Sequence, residues 1–222
     1  MPRVAVLLAC LAGSAGAQPP DRSAEAIQRE LQARNALVRD FTADFIQTYE
    51  GGLLRSRLVE RGRVRIKRPG LMRWDYEVPE PKLYLADGER FYSYLELDRQ
   101  VMVGTMPRLD QATTAMQFLA GAGDIAEDFV ASFDTVASAP PDSYVLRLDP
   151  IRAERDFEYL VVVLDAATLA FHQLIAHDLQ GGVSTFAFQN LQENTGLTDS
   201  PFRFTIPADA HVIDIDDQDA VR

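Results

Sequence analysis

Apolar and polar positions follow one period at the start of the chain and another through the rest of it. From Ala24 to Val38, the residues Ile27, Leu31 and Val38 stand four and then seven positions apart with Arg and Glu between them. That spacing lines one face of a helix, and Asp21 or Ser23 stands where an N-cap is needed. From Phe41 onward the period is mostly two. Phe41, Ala43 and Phe45 alternate with Thr42 and Asp44, and Leu58, Val64 and Ile66 alternate with Arg57, Arg61, Arg63, Arg65 and Lys67. In "LMRWDYEV", Met72, Trp74, Tyr76 and Val78 share one face while Arg73, Asp75 and Glu77 share the other. These are strands with an apolar inside and a charged outside.

Shorter runs follow at Leu83 to Ala86, Phe91 to Leu95 and Gln100 to Val103, the first two joined by a turn at "ADGE". Later runs are "SYVLRL", "FEYLVVVLD", "LAFHQLIAH", "GVSTFAFQN" and "FRFTI", and between the two groups lies the helix-like "QATTAMQFLAGAGD". The pattern predicts about eleven strands, a mainly β fold with some helix, in which a large curved antiparallel sheet or barrel leaves room for a ligand. No repeat, low-complexity block or internal linker interrupts it, so residues 18–222 read as a single domain.

The first seventeen residues change the picture of where that domain works. Met1, Pro2 and Arg3 precede an apolar run from Val4 to Ala12 and small residues ending at Ala17, the form of a signal peptide cleaved after Ala17. A second reading stops at Cys10 as a lipidation site, but the apolar run before it is then shorter than signal peptides use. With cleavage after Ala17 the remaining chain carries 21 basic and 33 acidic residues, a charge of −12, and no cysteine. An acidic balance argues against nucleic acid as a partner. No later stretch has the apolar length of a membrane-spanning helix.

Candidate chemistry is sparse. His172, His177 and His211 fall in no metal-ligand spacing. Asp214, Asp216, Asp217 and Asp219 lack the glycine and closing glutamate of a calcium loop and read as a solvated acidic tail. No nucleophile elbow, phosphate loop or CxxC occurs after Ala17, so no catalytic residue, metal or cofactor is expected and the chain reads as a non-enzyme. Two features remain. The stretch from Arg55 to Arg73 is basic in an otherwise acidic chain, and Arg57, Arg61, Arg63 and Arg65 form either a solvated strand face or a docking patch. Arg68 breaks that alternation, precedes Pro69 and points with Ile66 toward the apolar side, where a guanidinium needs a partner. Met72, Trp74, Tyr76, Met102, Met106, Met116 and Phe118 supply either ordinary core or, through flexible Met side chains, a cavity for variable apolar cargo.

The order of these pieces resembles the outer-membrane lipoprotein carrier protein family, LolA. The matching segments are "FTADFIQ" after the helix, "GRVRIKRPGLMRWDYEVPEPKLYLADGERFYSY", "AMQFLAG" and "FAFQNLQENTGLTDSPFRFTIPADAHVID"; the match is weakest from Asp124 to Glu158. The resemblance implies an unclosed, bent antiparallel barrel with helices capping an apolar concave side. It implies a periplasmic chaperone, monomeric, that takes triacylated lipoproteins from an inner-membrane ABC-type releasing complex to an outer-membrane acceptor. By the same resemblance Arg68 is a latch for the helical lid, Met72 and Trp74 stand at cavity positions, and Phe118 and Leu119 belong to the lid; Ile66, Met102 and Met116, read from the inward apolar pattern, join them as candidates for binding the acyl chains. An anchored acceptor or a lipoprotein- or lipid-sensing domain built on the same barrel is the alternative.

Overall fold

The alternating segments form strands in a computed structural model that describes residues 22–51, 56–105, 124–154 and 157–216. The expected signal segment, residues 1–17, lies outside the described residues, as do Met106, Met116, Phe118 and Leu119. Helix α1 (Ala24–Asn35) is followed by β1 (Asp40–Gly51), β2 (Ser56–Lys67), β3 (Leu71–Val78), β4 (Lys82–Asp87), β5 (Arg90–Leu95) and β6 (Gln100–Thr105). Then come the one-turn helix α2 (Ile125–Asp128), β7 (Phe129–Phe133), β8 (Ser143–Pro150), β9 (Tyr159–Asp165), β10 (Phe171–His177), β11 (Val183–Glu193), a 3-10 turn (Ser200–Phe202) and β12 (His211–Asp214).

All the strands join one open sheet in the order β12-β6-β5-β4-β3-β2-β1-β11-β10-β9-β8-β7. It is antiparallel throughout except at β12, which runs parallel to β6, and the ends of the sheet do not meet. The sheet therefore has twelve strands rather than about eleven. Two of these strands, β7 and β12, lie outside the runs the alternation marks, while "FRFTI" forms no strand: Phe202 ends the 3-10 turn and the residues after it run irregularly. Strand β12 comes from the acidic end of the chain, which is not merely solvated tail: His211 to Asp214 pair with Gln100 to Val103. The Asp216 carboxylate also accepts hydrogen bonds from the backbone N–H and the hydroxyl of Thr105.

Helix α1 lies against the concave side. Ser23 caps it, accepting from the N–H of Ala26, and Ile27 and Leu31 are fully buried. The helix ends at Asn35, three residues short of Val38, whose burial is reached instead by the turn into β1. Between Ile27 and Leu31 the buried Gln28 donates to the carbonyls of Ile125 and Phe129, at 2.6 and 2.7 Å, and Gln32 accepts from the N–H of Ile125. These bonds satisfy backbone groups where α2 turns directly into β7, and they fix α1 to the far edge of the sheet.

Where the sheet is apolar on both sides, irregular segments cover the outside. On the outer face of β4 to β6, Leu83, Leu85, Val101 and Val103 are buried beneath a strap running from Asn194 to Ala210. Phe202 is fully buried there, and Phe204 packs against Tyr92 and Tyr94 with ring centroids 5.5 and 5.7 Å apart. The strap begins at the buried carboxylate of Asp40, which accepts from the N–H groups of Thr195 and Gly196 and from the Thr195 hydroxyl.

Candidate functional site

The concave floor follows from strand register, since residues directly opposite one another across a sheet share a face. One transverse row reads Phe41, Ile66, Met72, Ala86, Phe91 and Gly104. The next reads Ala43, Val64, Trp74, Tyr84, Ser93 and Met102. A third reads Phe45, Gly62, Tyr76 and Lys82. Ile66, Met72 and Trp74 are thus neighbours in adjacent rows, all buried, while Met102 stands half-buried in the row of Trp74.

Aromatic edges hold this floor together. The Phe45 ring meets Trp74 and Tyr76 edge-on, with centroids 5.0 and 4.8 Å away, and Trp74 meets Phe186 at 5.6 Å. Gly62 makes the bulge in β2 possible, because a Cβ there would lie 1.9 Å from the carbonyl oxygen of Asp75. Phe45 is visible in the alternation of "FTADFIQ". Tyr84 and Ser93 carry no such signal of their own: the pairing of β4 on β3 places Tyr84 opposite Trp74, and the "ADGE" turn between β4 and β5 then sets Ser93 opposite Tyr84.

The two ends of the floor are polar. At one, the guanidinium of Arg68 donates to the carbonyl of Asn35, to the carbonyl of Val38 at 3.0 Å and to the Asn35 side-chain oxygen at 2.7 Å. The C-terminal carbonyls of a helix are its electronegative end, so a cation is well placed there. Burial pulls the Arg68 pKa below its ordinary value, and the charge of Glu193 opposes that. Beside this contact Asn35, Val38, Phe41, Phe171, Phe188, Leu191 and Glu193 line a gap of about 10 Å³, at the limit for one water.

At the other end Lys82 pairs with the buried Glu60, and its ammonium sits 4.4 Å from the centroid of the Tyr76 ring. The Tyr76 hydroxyl donates to Gln47 at 2.6 Å. Burial, then the charge of Glu60, pushes the Tyr76 pKa well above its ordinary value, so this phenol stays a donor.

The arginines of β2 face outward. Arg57 pairs with Glu50 and Arg63 with Asp44, each at 3.0 Å, and Arg65 with Asp75 at 2.6 Å, while Arg61 is exposed. Asp75 also takes Arg73, whose guanidinium donates to the Pro201 carbonyl of the strap. Carboxylates thus lace the basic strip. The described residues contain no His, Cys, Asp and Glu cluster able to hold a metal, and none of their helices is long and apolar enough to cross a membrane.

Comparison with known proteins agrees with this arrangement. An outer-membrane lipoprotein carrier protein of Bordetella avium is 28% identical over 194 residues, covering 86% of this chain and 88% of its own. One from Nitrosospira multiformis is 30% identical over 180 residues, covering 79% and 82%. In fold, the chain is similar to the crystal structure of an uncharacterized conserved protein from Thermus thermophilus, with a TM-score of 0.54 at 15% identity over 84% of this chain and 98% of that one. Residues 36–205 match the model of the outer membrane lipoprotein carrier protein LolA, so an open, curved antiparallel sheet with a buried aromatic floor and a helix tied across it by Arg68 is here the structure of a member of the LolA family.

Proposed function

We propose that this chain is a periplasmic chaperone that binds the acyl chains of lipoproteins released from the inner membrane and carries them to the outer membrane. The observation that carries the reading is the concave floor itself: apolar and aromatic rows on an unclosed sheet, covered by a helix that a few polar contacts hold in place. The names of the relatives point to the same cargo.

The physical demand is severe. Three acyl chains hold roughly 45 methylenes, and at about 0.8 kcal/mol each their exposure to water would cost on the order of 35 kcal/mol. Transit through water therefore requires near-complete burial, and delivery requires that burial be reversible. Ile66, Met72, Trp74 and Met102, with Met116, Phe118 and Leu119, receive the chains. Arg68 is the latch, and its hydrogen bonds, each worth about 1.5 to 3 kcal/mol for a charged donor, are weak enough to open on loading. Handoff then runs downhill between proteins, from an ABC-type releasing complex to an outer-membrane acceptor, with no catalytic step in the carrier.

The test is extraction. Purified protein beginning at Gln18 should move a triacylated lipoprotein from inner-membrane vesicles into the soluble fraction. Arg68→Leu should load but accumulate undelivered complex. Failure of the wild-type protein to solubilise the lipoprotein rejects the carrier reading, and normal delivery by Arg68→Leu rejects the latch.

A further inference from the structure

The floor contains two polar atoms that a permanent core would not leave bare. The indole Nε1 of Trp74 and the hydroxyl of Ser93 are both buried without a hydrogen-bond partner, in residues each only 2% exposed. They stand in the same transverse row, separated by Tyr84 on the strand between. A buried donor without an acceptor forfeits its hydration for nothing, which native proteins rarely tolerate. Water is a poor remedy at Trp74. A buried water needs two to four polar partners, and the indole is flanked by Phe45 and Phe186 and paired across the sheet with Val64.

Building on the carrier reading, we propose that Trp74 Nε1 and Ser93 Oγ hydrogen-bond the ester carbonyls of the cargo's acyl chains. The indole can only donate, so its partner must be an acceptor. In a diacylglyceryl cargo the acceptors carried directly on the buried hydrocarbon are the ester carbonyls. Taken from water into an aromatic pocket, each carbonyl loses its hydration unless a donor meets it. Two donors on one row define the depth at which the esters rest, with the chains extending from there over the neighbouring apolar rows. The floor thereby distinguishes an acyl ester from bare hydrocarbon of the same length.

The probes are a synthetic cysteinyl peptide carrying a dipalmitoylglyceryl thioether and its dihexadecyl ether counterpart, which has the same chain length and no carbonyls. Titrated into the wild-type protein, the ester should bind at least about tenfold tighter than the ether, the combined scale of two modest net hydrogen bonds. Trp74→Phe and Ser93→Ala should each bring the ratio toward one. The ester carbonyl stretch should move to lower frequency on loading, a shift that Ser93→Ala reports even if Trp74→Phe folds poorly. Equal affinity of the two probes for the wild type, or a ratio and carbonyl frequency unchanged in Ser93→Ala and Trp74→Phe, overturns the assignment and leaves the carrier reading standing. Binding of neither probe overturns both.

Discussion

The two flanks of the concave side are built from different materials. On β8 to β10 the wall is mainly aliphatic: Leu146, Leu148, Leu160, Val162, Leu164 and Leu174 are all fully buried and carry no polar atom, and the aromatic Tyr144 and Phe171 stand half-buried beside Leu164 at one end. On β2 to β6 the floor mixes Met72, Trp74, Tyr76, Tyr84 and Met102 with Ser93, and leaves donors unmet. Branched aliphatic side chains in staggered rotamers pack in one way, whereas an unbranched thioether adapts and an aromatic edge can exchange one neighbour for another. The wall is a core in the ordinary sense, and the floor is a surface that happens to be covered.

That contrast is open to measurement. Leu148→Ala should cost about 2 to 5 kcal/mol in a urea titration, because the rigid wall cannot close the cavity. The strap ranks next. Asp40→Ala removes a buried carboxylate that receives three hydrogen bonds from Thr195 and Gly196, and should cost about 1.5 to 3 kcal/mol while speeding hydrogen exchange in β4 to β6 beneath the strap. Met72→Leu in the floor should cost less than about 1.5 kcal/mol yet alter acyl-peptide binding; a stability loss as large as that of Leu148→Ala would erase the distinction.

The smallest expected effect concerns the outside of the wall, where His177 stacks on Tyr159 at 4.1 Å. Burial first, and the neighbouring Arg147 second, hold its imidazole below the ordinary 6.5. The unfolded chain therefore binds the proton more readily, so stability should be fully present above pH 6.5 and decline as pH falls from there through the lowered folded value. Urea midpoints measured from neutral to mildly acidic pH should show a shallower decline in His177→Gln.

The same contrast governs what the sequence reveals. In β3 burial alternates residue by residue from Leu71 to Tyr76, because one face meets the core and the other meets water, and the alternation is legible. In β9 the run Leu160 to Leu164 is buried throughout. Its outer side is covered by the loop before β8, where Ser138 exchanges hydrogen bonds with Gln173 on the neighbouring strand. A continuous apolar run carries no period from which to read such a cover. The outer apolar residues of β4 to β6 are obscure for a related reason, since the strap that buries them lies far along the chain. Arg68 is legible as a cation pointing inward, but its partners Asn35 and Val38 depend on where α1 stops. Ser93 is silent, because one serine among Phe91, Tyr92 and Tyr94 looks like a polar interruption until register turns it toward the row of Trp74.

The strap also has a mechanical consequence. It is pinned to the start of β1 at Asp40, tied to β2 by the Lys67–Asp199 pair and to β3 by Arg73, and ends as a strand on β6. The strands from β1 to β6 are thus girdled on their convex side by one length of chain, and bending them more sharply would stretch that girdle. Gape in this unclosed barrel is opposed instead from the concave side, where among the described residues α1 is tied to the β7 border through Gln28 and Gln32. The helix that Arg68 holds therefore also sets the spring constant of the opening.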